Sequence, residues 1–338
     1  MLLSVIAALG MSGSASAAPA NRLPDHFFSP YFEAYNTADD PETFAAESNA
    51  KYLTMAFIQT PSPGSCDIDW NGNTNQPIAL SSYGASIIEI KAHGGDVIPS
   101  FGGGYADGNG MDIADSCTDI SKIAADYEQV IRTYDLTRLD LDVEGNAETD
   151  LAGVDRRNKA IKLVEDWAER TGRTVQFSYT LPTNPTGLDK DGLPIVQNAV
   201  ANHARIAVVN LMTFDYYDGI QHEMAADTEQ AAAALVGQLA PLYPNRSTRQ
   251  LYAMVGITEM VGIDDYGPTE TFTTADAVTV ENWAQAKGIA LLSFWAIERD
   301  SGGCAVGTVG ADNCSGVAQP NWYFSHQFES FGPSARWW

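Results

Sequence analysis

Three carboxylates stand at alternate positions in Leu139-Asp140-Leu141-Asp142-Val143-Glu144-Gly145. In an extended strand this puts Asp140, Asp142 and Glu144 on one face and Leu139, Leu141 and Val143 on the other. The apolar face must pack against other elements, so the acids look into an interior. Burial and like charge both favour the neutral form of a carboxyl group there. Glu144, nearest the carboxyl end of the strand, is then a general acid that holds a transferable proton near neutral pH. Asp142 can take a hydrogen bond from it or turn towards a substrate.

Other polar residues close apolar runs elsewhere. Ser100-Phe101-Gly102-Gly103, Thr180-Leu181-Pro182, Asn210-Leu211-Met212-Thr213-Phe214-Asp215-Tyr216-Tyr217 and Ser293-Phe294-Trp295 end such segments, and Glu259, Glu298 and Asp300 follow two more ends. No C-x-x-C or H-E-x-x-H spacing occurs, and His26, His93, His203, His222 and His326 are scattered, so no metal site is expected. Residues 32–44 contain no glycine, which argues against a phosphate-binding loop after the first strand. No cofactor is expected.

The elements that must position these residues follow from periodicity. Strands are predicted over 27–32, 52–59, 96–101, 138–144, 175–181, 206–216, 251–257 and 289–297, each followed by a helix. The third helix carries Ile120, Ile123, Ala124, Tyr127, Val130, Ile131 and Tyr134 on one face, with Thr118 as its cap. Asp40-Pro41 opens the first helix, Gly94 closes the second, and Thr274 and Gly288 bracket the seventh. The last carries Trp322, Phe324, Phe328 and Phe331 as core. This alternation is the α/β pattern of a (β/α)8 TIM barrel, whose active site lies at the carboxyl ends of the strands.

The chain has 338 residues, 45% of them hydrophobic, and 19 Lys plus Arg against 43 Asp plus Glu, a net charge of −24. That field repels phosphate, which excludes a nucleic-acid backbone or an anionic membrane surface as partner. The apolar stretch from Leu2 to Leu9, followed by Ala15-Ser16-Ala17, reads as a secretory signal cleaved after Ala17. It leaves 18–338 as a single domain outside the cell. No other stretch is long and apolar enough to span a bilayer. The close spacing of Cys304 and Cys314 favours a local disulfide, with Cys66–Cys117 as the other. No exposed apolar stripe suggests a partner face, so a monomer is expected.

The strand-four segment resembles the D-G-x-D-x-D-x-E signature of glycoside hydrolase family 18, the chitinase family, with Thr137 and Arg138 replacing the leading Asp-Gly. Ser100-Phe101-Gly102-Gly103 is similar to the family's S-x-G-G, in which the serine supports the inner acids and the glycines leave room near the sugar. The run from Asn210 to Tyr217 is similar to M-x-Y-D: Met212 and Asp215 match, and Phe214 stands in the tyrosine's place. Trp295 resembles the tryptophan that floors the central sugar subsite.

The resemblance implies a secreted chitinase that acts on chitin or chitooligosaccharides, cutting β-1,4-N-acetylglucosamine linkages by substrate-assisted retention. Glu144 would protonate the leaving oxygen and then activate water, and Asp142 would orient the acetamido N–H. Asp140 would tune Asp142, while Asp215 and a tyrosine would fix the acetamido carbonyl. Tyr216, at the parity of Phe214 and one step nearer the mouth, is the candidate for the missing hydroxyl. Trp295, then Tyr31, Tyr105 and Trp70, are the candidate sugar-stacking rings. The interval from Ile257 to Ile289 is too short for both the seventh helix and the α+β insertion of some members, implying an open cleft and internal cutting.

Two other readings stand beside this one. An endo-β-N-acetylglucosaminidase would cut the core of N-glycans or a peptidoglycan-like sugar, and loop residues decide between it and a chitinase. A chitinase-like lectin or inhibitor would bind sugars without cleavage, but such proteins typically lose the acid that this chain keeps at Glu144.

Overall fold

The structure, a computed structural model, describes residues 23–332, so the proposed signal segment lies outside the described residues. In chain order the strands are β1 (Phe27–Phe28), β2 (Tyr31–Glu33), β3 (Tyr52–Gln59), β4 (Asp69–Trp70), β5 (Asp96–Gly102) and β6 (Arg138–Asp142). They continue as β7 (Gln176–Pro182), β8 (Ile206–Met212), β9 (Val255–Met260), β10 (Gly262–Ile263), β11 (Thr271–Phe272) and β12 (Leu291–Trp295). The strand order is β1-β12-β9-β8-β7-β6-β5-β3-β2. Only Ser29 and Pro30 separate β1 from β2, and β1 pairs with β12 while β2 pairs with β3, both in parallel. The first strand therefore closes the sheet on itself as a (β/α)8 barrel with a helix after each strand.

Most boundaries follow the periodicity, and the departures have local causes. Strand β9 starts at Val255 because Thr248–Tyr252 forms a short helix with a Ser247/Gln250 capping box. Strands β6 and β8 stop at Asp142 and Met212, short of the runs expected to reach 144 and 216. Asp119, not Thr118, caps the helix Ile120–Tyr134 by accepting from two first-turn N–H groups. Thr273, not Thr274, caps Thr274–Lys287. The last helix covers only Tyr323–Phe328, with Trp322 at its cap and Phe331 beyond it. Asp40 caps the first helix with Pro41 at its start, and both expected disulfides form. Between β9 and the seventh helix the chain builds one small antiparallel hairpin, β10–β11.

Alternation along the strands sorts the barrel interior into layers. Phe27, Ile98, Val208 and Leu291 form an apolar plug at the amino ends of the strands. Above it lie the buried polar side chains of Ser29, Thr54, Ser100, Asp140, Ser178, Asn210, Thr258 and Ser293. Leu139, Leu141 and Val143 point the other way, into the core shared with Tyr127, Val130 and Ile131 of the third helix. The carboxylates of β6 are thus inside because the apolar half of the same strand is needed outside.

Gly102 and Gly103 serve backbone approach rather than ligand access. Both have positive φ, and a Cβ on Gly102 would lie 2.1 Å from the Asp142 carbonyl oxygen, one on Gly103 2.5 Å from the Phe57 ring. Gly102→Ala is expected to destabilise the fold by about 1–3 kcal/mol. Thermal denaturation checks this, and an unchanged melting temperature would contradict the contact.

Candidate active site

The deepest carboxylate of β6 is surrounded by hydroxyls. Asp140 accepts from Ser100 Oγ at 2.7 Å, Ser178 Oγ at 2.5 Å, Tyr31 Oη at 3.0 Å and Thr180 Oγ1 at 3.1 Å. Asn210 Nδ2 donates to Thr180 Oγ1 at 3.0 Å, which leaves the Thr180 proton for the carboxylate. Burial pushes the Asp140 pKa up, and the hydroxyls pull it back towards the charged form.

Asp142, on the same face one pleat nearer the mouth, lacks those donors. Its Oδ1 is buried without a partner. Burial first, then repulsion from Glu144, Asp140 and Asp107, drives its pKa well above the carboxylate range. A proton shared between the two aspartates therefore resides on Asp142. Glu144 follows beyond the end of β6, half-buried, with its pKa raised to about 7, chiefly by burial and against a hydrogen bond from the Gly104 N–H. Asp107 Oδ2 accepts the Glu144 backbone N–H at 2.5 Å and so fixes how the chain leaves the strand.

These acids open into a pocket of about 440 Å³ at the carboxyl ends of the strands. Asp142, Glu144 and Thr180 lie within it; Tyr31, Phe57 and Trp295 form an aromatic side. Phe57 and Trp295 stack with ring centroids 5.7 Å apart and planes 12° apart, and Tyr31 packs on Trp295 at 5.5 Å. Met212, Phe214, Asp215 and Met260 contribute a second side, and the exposed Tyr105 and Tyr35 a rim. Asp215 has its pKa raised to about 6 by burial and the nearby Asp265 and Glu270, opposed by the Tyr217 phenol.

Comparison with known proteins decides the family. The pattern described as Glycosyl hydrolases family 18 matches residues 28–290. The chain belongs to glycosyl hydrolase family 18. It is 32% identical over 327 residues to a probable bifunctional chitinase/lysozyme of Escherichia coli (strain K12), covering 93% of this chain and 35% of that protein. It is also 32% identical to endochitinase 11 of Metarhizium anisopliae, over 83% of this chain and 54% of that one. The chain thus spans a third to a half of the length of these relatives. The catalytic domain of a hyperthermophilic chitinase from Pyrococcus furiosus superposes with a TM-score of 0.79 at 31% identity, covering 91% of this chain and 95% of that domain.

Within this family 18 barrel the structure separates the sequence candidates. Glu144, Asp142, Asp215, Trp295, Tyr31, Met212, Phe214 and Tyr105 meet in the pocket, with Asp140 and Ser100 directly beneath. Gly102 and Gly103 do not line it. Tyr216 is not brought there either. The strand ends at Met212, and Asp215 and Tyr217 adopt left-handed backbone, so alternation no longer predicts direction. The Tyr216 ring lies 4.8 Å from that of His222, and its hydroxyl is buried without a partner.

The other mouth candidates have structural partners. Trp70 is buried and donates its indole N–H to Tyr134 Oη at 2.9 Å. Glu259 accepts from Thr228 on an outer helix, Glu298 accepts from the Glu33 N–H, and Asp300 caps the last helix through Phe324 and Ser325. Sequence reasoning missed Phe57, Asp107, Thr258, Met260 and Asp265. The parity of β9 identifies Thr258 and Met260 once the strand is carried past the expected end at Ile257 to Met260.

Among the described residues, Asp218, His222 and Glu270 bring three potential metal ligands within 4.8 Å of one another. His222 is already hydrogen-bonded to Asp227 at 2.7 Å and Asp218 at 3.0 Å, and Glu270 accepts two backbone N–H groups, so the cluster is satisfied without an ion.

Several buried acids besides Glu144 hold protons more tightly here than in an unfolded chain. Burial raises Glu33 to about 7 and Glu148 and Glu259 to about 8. A raised folded pKa contributes stability that is complete below the unfolded value of ~4 and is lost as pH climbs through the folded one. The melting temperature is therefore expected to fall between pH 5 and pH 8.5, measured by calorimetry. A rise across that window would contradict these protonation states.

Proposed function

We propose that this family 18 protein is an exported chitinase that hydrolyses β-1,4-linked N-acetylglucosamine chains by substrate-assisted retention. The observation that carries the reading is Glu144, half-buried with a pKa near 7, in one pocket with a proton-bearing Asp142 and with Asp215. A group that titrates near neutrality is matched to giving up and recovering a proton. A Pyrococcus furiosus chitinase domain studied in complex with chito-oligosaccharides, 30% identical to this chain with a TM-score of 0.80, supports the substrate class.

Glu144 protonates the glycosidic oxygen as the substrate's acetamido oxygen attacks the anomeric carbon. Asp142 accepts the acetamido N–H on its unpartnered oxygen and so orients the acetamido group for attack. Asp215 steadies the acetamido group from the second side. Water then opens the intermediate with Glu144 as base, giving the β anomer. The Trp295 face receives a pyranose ring. The short β10–β11 hairpin supports an open cleft and internal cutting. The two disulfides and the signal-like leader support export to an oxidising compartment.

Glu144→Gln is expected to lower kcat on chitotetraose by roughly 10²–10⁴-fold with the melting temperature unchanged. Proton NMR of the first product should show the β anomer. A high-mannose glycopeptide assayed in parallel separates the alternatives: cleavage of the glycopeptide alone makes this a glycan-releasing enzyme, and oligomer binding without cleavage by the wild type makes it a lectin.

Tyr216→Phe removes only a buried hydroxyl that has no partner, so kcat should stay within about twofold and stability should not fall. A large loss of turnover would restore Tyr216 to the site.

A further inference from the structure

The Asp215 segment is held by something other than the barrel ladder. Strand β8 ends at Met212, and the last ladder-like bond runs from the Thr213 N–H to the Thr258 carbonyl at 3.0 Å. The next residues take an unfavourable shape, with φ of 53° at Asp215 and 52° at Tyr217, neither of them glycine. Left-handed backbone at such residues persists only where the surroundings impose it.

The surroundings here are two buried carboxylates of the β10–β11 hairpin. Asp264 Oδ2 accepts the Asp215 N–H at 3.2 Å, Glu270 Oε2 the Tyr216 N–H at 2.8 Å, and Glu270 Oε1 the Tyr217 N–H at 3.2 Å. Three successive amides thus point at one pair of acids. Asp264 is itself anchored, since its Oδ1 accepts from the Tyr266 and Gly267 N–H groups, each at 3.1 Å. The Asp264 N–H in turn reaches the Glu270 carbonyl at 3.3 Å. Asp264 is 1% exposed and Glu270 fully buried, so water does not substitute for either. Arg299 braces the hairpin from below by donating to the Val261 and Ile263 carbonyls.

We propose that Asp264 and Glu270 are positioning residues that hold the Asp215 segment in the shape needed to grip the substrate. The proposal rests on the reading of Asp215 given above. A carboxylate suits this task because both oxygens accept. An Asn or Gln at the same place turns an NH₂ towards a backbone N–H and leaves that donor unpaired.

The test is a double-mutant cycle on the full chain, with kcat and KM for chitotetraose and the melting temperature as readouts. Asp264→Asn and Glu270→Gln are each made alone and in an Asp215→Ala background, with residual turnover read at high enzyme concentration. Each single change is expected to lower kcat at least tenfold, with a smaller change in KM and a folded, cooperative melt. In the Asp215→Ala background the same change should cost less than twofold, because the group being positioned is gone. Equal losses in both backgrounds, or no loss in the first, would overturn the proposal. If Asp264→Asn fails to fold, Glu270→Gln decides by the same cycle, and Glu270→Asp, which keeps the charge on a shorter arm, should recover part of the lost kcat. Full turnover by Asp215→Ala alone would remove the reading of Asp215 and the proposal with it, whereas an inactive Asp215→Ala beside a fully active Asp264→Asn would remove the proposal alone.

Discussion

Charge burial inside the barrel is the constraint from which the rest of this structure follows. Asp140 sits where no water reaches, and a lone carboxylate there would carry a desolvation cost of several kcal/mol. Ser100, Ser178, Tyr31 and Thr180 converge on it from three other strands, which ties the register of β2, β5, β6 and β7 to one side chain. Such networks are strong when every member is satisfied and costly when one is missing. The unusual content of Ser, Thr and Asn on the inward faces of these strands is explained by that need, since Val at the same positions would pack equally well and leave the acid unpaired.

A gradient of proton affinity follows along β6. The innermost acid is stabilised in its charged form by donors, the middle one has none and holds a proton, and the outermost titrates near neutrality. One alternating strand thus produces three chemically different carboxyl groups from two residue types, set apart only by depth and by hydroxyl neighbours. Strands supply this axis, while loops supply the opposite side. Asp107 holds the exit of Glu144 from β6, and the hairpin acids hold Asp215, so both outer groups depend on side chains that accept backbone N–H bonds.

The strand-borne half of the site was legible in the sequence because period-two alternation is a strong local signal. Asp140, Asp142, Glu144, Tyr31 and Trp295 all lie on inward parity, and β3 occupies the predicted residues 52–59. The loop-borne half was less so. Parity alone points Tyr216 inward, but left-handed residues at 215 and 217 break the alternation on which that direction depends. Thr258 and Met260 were hidden because the strand expected over 251–257 is displaced: a capped helical turn occupies its first residues, and the strand itself runs on to Met260. Asp107, Asp264 and Glu270 carry no pattern at all, because an acid that accepts backbone amides looks in sequence like any solvated acid. The family resemblance, in turn, gave Gly102 and Gly103 a place beside the sugar, whereas both are required by contacts with Asp142 and Phe57.

The plug of Phe27, Ile98, Val208 and Leu291 has a consequence for how the acids reach solvent. It seals the barrel below Asp140, so protons trade with solvent only through the pocket mouth. The opening that admits a ligand is then also the one through which Asp140, Asp142 and Glu144 trade protons with water, so occupancy and protonation of this site are coupled.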